Sequence, residues 1–389
     1  MEEIVSFENT IKLLVGTNIM NNLPYSLSLR NCEKAMIVCD EIAYRLGYVD
    51  YVKTAFDNSA VEIVYTYNKI GDVALDKDVE SIARHYRYYK CDAIIAIGRK
   101  ASMLAAKGAK LLITESVRYL SHYLSSSISQ YATDSTVLVA VPINFGSGFE
   151  ALPITRIYDK DNNKVFEITS QYVSTDILVL DTKTSDIIPP KAIATYGLFA
   201  LAMALECYIK DETPMIAKAY ADASIGIIFE YLEKCIFRNA NMLYRQKLME
   251  AVGYASCGYA SLTKNNLLAP LTDIISDKYL ANYANIYAIL FRHYLKTIIP
   301  GRAFGYALNA MVDSNDFAMY AKDARIQKTF AQIEDLYKKI EDCVDFNSKL
   351  RDFGVKEDDL QEIVDVFKST NEDDTLTDEV VMNILKAAF

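Results

Sequence analysis

The stretch DILVLDTKTSDIIPPKAIATYGLFALAMALECYI, Asp176 to Ile209, contains the boundary that decides the architecture. Its opening, Ile177 to Asp181 (ILVLD), is a short run of β-branched and apolar residues of strand length. Beyond Pro189-Pro190, small and apolar residues recur at the three-and-four spacing of a helix. Proline holds the residue before it extended and is tolerated in the first turn of a helix, so this pair marks a change of domain. The reading is an α/β domain over residues 1–188 and an all-α domain over 189–389.

Upstream of the boundary, strand-like runs alternate with helical patterns: Lys34 to Asp40 (KAMIVCD), Val61 to Tyr67 (VEIVYTY), Asp92 to Gly98 (DAIIAIG) and Thr136 to Pro142 (TVLVAVP). Such alternation predicts a Rossmann-like parallel sheet covered by helices on both faces. Ile154 to Asp159 and Lys164 to Thr169 flank the turn-rich tetrapeptide Lys160-Asp161-Asn162-Asn163 and predict a β-hairpin. Downstream, helices are predicted over Ala192 to Lys210, Met215 to Cys235, Leu243 to Leu262 and Tyr279 to Lys296.

Composition narrows the function. The 389 residues carry a formal net charge of −10, and Arg351 to Phe389 alone holds 11 acids against 4 bases, which predicts a solvated helical face. A field of that sign repels phosphate backbones, so no nucleic-acid partner is expected. The seven cysteines are scattered without a C-x-x-C pair, which fits reduced core thiols and a cytoplasmic location. Met1 to Thr10 has no apolar leader pattern and no later window has the apolar length of a bilayer span, so no membrane association is expected. Only His85, His122 and His293 supply imidazole.

The order of these pieces resembles the iron-containing (group III) alcohol dehydrogenase family, with its dehydroquinate synthase-like architecture, over essentially the whole chain. VCDEIAYRLGYVD (Val38 to Asp50) is similar to the segment that places an Asp, here Asp40, near the adenosine ribose. PINFGSGFE (Pro142 to Glu150) resembles P-T-T-A-G-T-G-S-E, and Ile187 to Ile209 resembles L-P-P-x-x-x-A-x-x-G-x-D-A-L-x-H-A-I-E. LRDFGVKEDDL (Leu350 to Leu360) and TLTDEVVMNILKAAF (Thr375 to Phe389) look like the closing helices. The resemblance implies NAD or NADP as candidate cofactor, with Asp40, Gly98, Arg99, Lys100, Asn144, Ser147 and Gly148 at the positions that would bind it. Glu150, Asp176 and Asp181 match positions read as structural.

The departures fall on chemistry. The family's G-G-G-S-x-x-D-x-x-K loop is here Gly98-Arg99-Lys100-Ala101-Ser102-Met103-Leu104-Ala105-Ala106-Lys107, so only Gly98 and Lys107 match. Glycine in such a loop lets backbone amides approach a diphosphate, and Arg99 and Lys100 put side chains there instead, either to bind an anion or to fill a surface turn. The family's Asp and three His ligands correspond to Phe199, Met203, Ala269 and Tyr283, with Asp273 at a second His linked to proton transfer. A phenyl ring has no lone pair and a thioether is a soft ligand, so iron and zinc are not expected. Tyr279, Tyr283, Tyr287 and Tyr294 are read as aromatic repacking of that position.

Losing the ion removes several kcal/mol of transition-state stabilisation, roughly three powers of ten in rate or more. The expectation is therefore a family homologue without metal-dependent oxidoreductase activity and without catalytic residues. It would be a homodimer that binds a small anionic ligand in an interdomain cleft, or an assembly protein. The alternative is an NAD(P)-dependent alcohol or aldehyde oxidoreductase working with an atypical or absent metal, through Tyr283 or Asp273.

Overall fold

A computed structural model describes residues 10–125, 136–210, 213–238, 241–262, 268–298, 319–371 and 376–389. Residues 1–9, read above for a leader pattern, lie outside them. The chain divides into two compact units between Ile188 and Pro189. In the first, the strands are β1 (Lys12–Gly16), β2 (Lys34–Asp40), β3 (Glu62–Ile70), β4 (Ala93–Gly98), β5 (Val137–Pro142), β6 (Ile154–Asp159), β7 (Lys164–Thr169) and β8 (Ile177–Asp181). Six of them form one parallel sheet in the order β1-β8-β5-β4-β2-β3, and β6 and β7 form the separate antiparallel hairpin.

Sequence reading missed β1, whose apolar core is only Leu13-Leu14-Val15 before Gly16. Its pairing with β8 is a non-local contact that no local pattern reveals. The interior strands are buried along nearly their whole length, because parallel strands carry helices on both faces. One face of the sheet closes on a core containing Met20, Leu23, Ile37, Val52, Ile95 and Val141.

The second unit is helical throughout its described residues. Pro190–Ile209 packs against Met215–Phe237, Met242–Tyr259 and Tyr283–Ile298. The first of these helices is apolar on all sides, as a helix surrounded by others must be. At Gly197 a side chain would meet Leu232 Cδ1 at 2.3 Å, so the crossing of the first two helices requires glycine there. The helix expected over Tyr279 to Lys296 starts instead at Tyr283 and runs to Ile298, and a separate helix, Ala269–Tyr279, precedes it. Leu280, at φ +50°, ends that preceding helix in the left-handed region. Helices Lys322–Cys343, Asp359–Thr370 and Asp378–Ala388 follow. Among the described residues no helix is long and apolar enough to cross a membrane.

Candidate functional site

Ligands of open parallel sheets bind beyond the carboxyl ends of the strands where the strand order reverses. Here that point lies between neighbours β2 and β4, and Asp40 and Gly98 end those strands. Asp40 is completely buried. Its Oδ1 accepts the Ala43 N–H at 2.9 Å, capping the short helix Glu41–Arg45. Its Oδ2 accepts the Arg99 N–H at 2.7 Å and the Ser102 hydroxyl at 3.2 Å, and lies 3.5 Å from Arg99 Nε.

Gly98 sits at φ +147°, and a Cβ there would lie 2.5 Å from Asp40 Oδ2 and 2.6 Å from Ser102 Oγ. The glycine is thus required by close packing of the protein's own side chains. Arg99 is the N-cap of helix Lys100–Thr114, so the expected surface turn is a half-buried helix start. Its guanidinium pairs with Asp72 Oδ1 at 2.9 Å, a carboxylate that is itself exposed. The Lys100 ammonium lies 4.0 Å from the centre of the Phe149 ring, a cation–π contact.

Ile143 to Leu152 is buried at every residue although it forms no regular ladder. Buried backbone must find partners, and side chains supply them. Asn144 Oδ1 accepts the Gly146 N–H at 3.1 Å, and Glu150 Oε1 accepts both the Ser147 N–H at 2.7 Å and its hydroxyl at 2.8 Å. Gly148 takes φ +81°. The Thr175 hydroxyl donates to the Glu150 carbonyl at 2.6 Å. Lys107, fully buried, donates from Nζ to the carbonyls of Phe149 and Leu152, both at 2.5 Å. Burial pushes the Lys107 amine down to about 7, partly opposed by the nearby Glu150.

Asp176 and Asp181 do structural work. Asp176 Oδ2 accepts the Lys110 ammonium at 2.7 Å and the Leu138 N–H at 2.8 Å. Asp181 accepts the N–H groups of Asn18, Met20 and Lys183 and the Tyr51 hydroxyl.

In the helical unit, Phe199 is 2% exposed and Met203 is completely buried. The Phe199 ring meets Tyr283 edge-on at 5.9 Å and Tyr287 at 5.2 Å between centroids. Tyr287 donates a short hydrogen bond to Glu206 Oε2, and the Tyr259 hydroxyl lies 2.9 Å from that of Tyr287. Burial first, and the Glu206 carboxylate second, raise both phenols well above their ordinary value. Both remain protonated, so the order of donation is Tyr259 to Tyr287 to Glu206. Of the tyrosines expected here, Tyr279 instead donates to Asp359 at 2.7 Å, and Tyr294 packs on Phe291.

Phe199, Met203, Ala269 and Tyr283, which the resemblance sets against the family's metal ligands, do not suit a divalent cation. They present a phenyl ring, a thioether, the methyl of Ala269 and one phenol. Among the described residues, no group of three or more His, Cys, Asp or Glu could hold a metal ion. The histidines serve elsewhere: His85 stacks on Tyr65 at 4.6 Å, His122 meets Tyr119 edge-on, and burial pushes His293 down to about 4, leaving it neutral. Sequence reading did not single out Tyr259, and used Glu206 only as an alignment anchor. An acid inside GLFALAMALECYI was the available signal, since a lone carboxylate in an apolar helix must be paired when buried.

The chain thus combines one parallel sheet, whose strand order reverses between β2 and β4, with a helical unit that follows it in sequence. Residues 10–182 match the model of the family described as iron-containing alcohol dehydrogenase. An aldehyde-alcohol dehydrogenase of Streptococcus pneumoniae is 25% identical over 252 residues, which cover 62% of this chain and 28% of that protein. The chain therefore spans little more than a quarter of that relative's length. A sulfoacetaldehyde reductase of Bilophila wadsworthia is 20% identical over 344 residues, covering 85% of this chain and 84% of the relative. The fold matches the crystal structure of sulfoacetaldehyde reductase from Bifidobacterium kashiwanohense in complex with NAD+ at TM-score 0.81 and 16% identity, over 99% of both chains. These named relatives are alcohol or aldehyde oxidoreductases.

Proposed function

We propose that this chain keeps the fold of the iron-containing alcohol dehydrogenases without their metal-dependent hydride chemistry, and acts as a non-catalytic protein that binds a small anion or serves in a homodimeric assembly. The observation that carries the reading is the ring cluster of Phe199, Tyr283 and Tyr287, in which Phe199 and Tyr283 stand where the resemblance sets two of the family's metal ligands. Ring carbon cannot bind a cation through a lone pair, and the nearby Glu206 carboxylate already accepts the Tyr287 phenol. Arg99 and Lys100 are the cations through which an anion would be held. Such an anion competes with the exposed Asp72 for Arg99, which makes the binding salt-sensitive.

A second reading is an NAD(P)-dependent alcohol or aldehyde oxidoreductase with an atypical or absent metal. It is favoured by the NAD+ complex of the sulfoacetaldehyde reductase that shares this fold. On that reading Asn144, Ser147 and Gly148 would lie along the nucleotide, and Tyr283 or Asp273 would move the proton.

Metal analysis of the purified protein and calorimetric titration with NAD and NADP separate the two. The first reading expects iron and zinc far below one per chain and no submillimolar heat of dinucleotide binding. Stoichiometric metal that is lost on changing Tyr283 would overturn it. Submillimolar dinucleotide affinity would establish the second reading instead.

A further inference from the structure

Lys107 matches the last position of a phosphate loop whose other chemistry has gone, and in this structure it has no ligand role. It stands in the middle of helix Lys100–Thr114, completely buried, and its amine reaches two carbonyls of one irregular segment. That segment, Ile143 to Leu152, has few backbone ladder bonds of its own and is buried along its length. The segment is thus closed over a titratable group that has no access to water.

Charges around the amine come from two places. Glu150 lies on the segment itself, where its Oε1 is committed to Ser147. Lys110 lies one turn along the same helix and is paired with Asp176, which Arg30 also approaches at 3.9 Å. Among the described residues these are the charges acting on Lys107. β6 and helix Asp76–Tyr89 bring apolar atoms of Ile157 and Val79 against the helix at Gly108. The Thr155 hydroxyl is spent on the Leu104 carbonyl at 2.7 Å.

We propose that Ile143 to Leu152 is a proton-sensitive latch, closed over the neutral Lys107 amine and opened when that amine takes up a proton and draws in water. The sign follows from linkage. A proton is bound more tightly by the solvated amine than by the buried one, so acid favours whichever state exposes it. Burial holds the closed-state amine near neutrality while the solvated amine keeps its ordinary basicity. Opening would therefore grow as pH falls toward about 7 and level off below it, and would free the segment that carries Asn144, Ser147 and Gly148. The latch rests on the burial of Lys107 and its bonds to the Phe149 and Leu152 carbonyls, and stands whether the chain binds an anion or a dinucleotide.

Hydrogen–deuterium exchange of the full chain, read on peptides spanning residues 143–152 and corrected for intrinsic rates, tests it. The wild-type protein is expected to show about tenfold or more greater opening at pH 6 than at pH 8.5. Lys107→Met should flatten that dependence, whereas Lys110→Met, which removes the neighbouring charge but not the latch amine, should keep it. A flat wild-type profile overturns the proposal without any variant, so a misfolded Lys107→Met does not protect it. A slope that persists in a folded Lys107→Met protein overturns it equally.

Discussion

Where β2 and β4 end, polar side chains remain and are answered from within: Asp40 by two backbone amides and a serine, Arg99 by two carboxylates. At positions 199, 203, 269 and 283 of the helical unit, ring and aliphatic carbon stand instead, with only the Tyr283 hydroxyl polar. The contrast follows from what each place must satisfy. A strand end and a helix start leave amides that require acceptors whether or not a nucleotide comes, so a carboxylate there has structural work to do. Metal ligands on packed helices have no such second task. If such ligands were replaced, the volume they leave would have to be filled or the bundle would lose contacts.

If Phe199 fills volume, Phe199→Ala should give the largest loss, about 3–5 kcal/mol of stability, read as a shifted midpoint in urea at unchanged slope. A loss under 1 kcal/mol would show the ring to be loosely held and would break the comparison on the helical side. Gly98→Ala tests the other side. The new Cβ would meet Asp40 Oδ2 at 2.5 Å with the backbone at φ +147°, and about 3 kcal/mol should be lost. Pairing it with Asp40→Ala, which vacates that space, should recover part of the Gly98→Ala penalty in a double-mutant cycle.

Both units were legible in outline because their signals are periodic: ILVLD, TVLVAVP and the apolar run after Pro190 announce their elements in a few residues. β1 was not, since three apolar residues carry no period. The helix break at Leu280 to Asn282 also escaped, because nothing in the local pattern marks a leucine for φ +50°. At the site, only the resemblance proposed positions for cofactor and metal, since no residue pattern marked them by itself. The internal bonds were beyond reach. Asp72 meets Arg99 across 27 positions and Tyr287 meets Glu206 across 81, and neither partner is implied by its own neighbours.

Tyr287→Phe sharpens the helical side at smaller scale. It leaves the ring and removes one donor from the buried Glu206 carboxylate, so about 1–2 kcal/mol should be lost by thermal melting. Tyr259→Phe should cost less, because Tyr287 keeps its own proton on Glu206 and loses only a donor to its oxygen. Equal losses in the two variants would mean that the bond from Tyr287 to Glu206 adds nothing beyond the contact with Tyr259.

The smallest effect belongs to Asp72→Asn. The pair with Arg99 is solvent-exposed on the aspartate side, and such pairs contribute below about 1 kcal/mol, less in salt. Stability should therefore barely move, while the guanidinium loses its competitor and becomes free to meet an anion. Inorganic phosphate titrated by calorimetry should bind more tightly to Asp72→Asn than to the wild type, and the gain should vanish in Asp72→Asn with Arg99→Ala. Asp40 would not compensate, because its Oδ2 is buried and already holds the Arg99 amide and Ser102. Unchanged phosphate binding in both variants would mean that Arg99 serves only to neutralise Asp40. The strand-end site would then be as closed to ligands as the ring cluster of the helical unit, and the two regions would differ in chemistry alone.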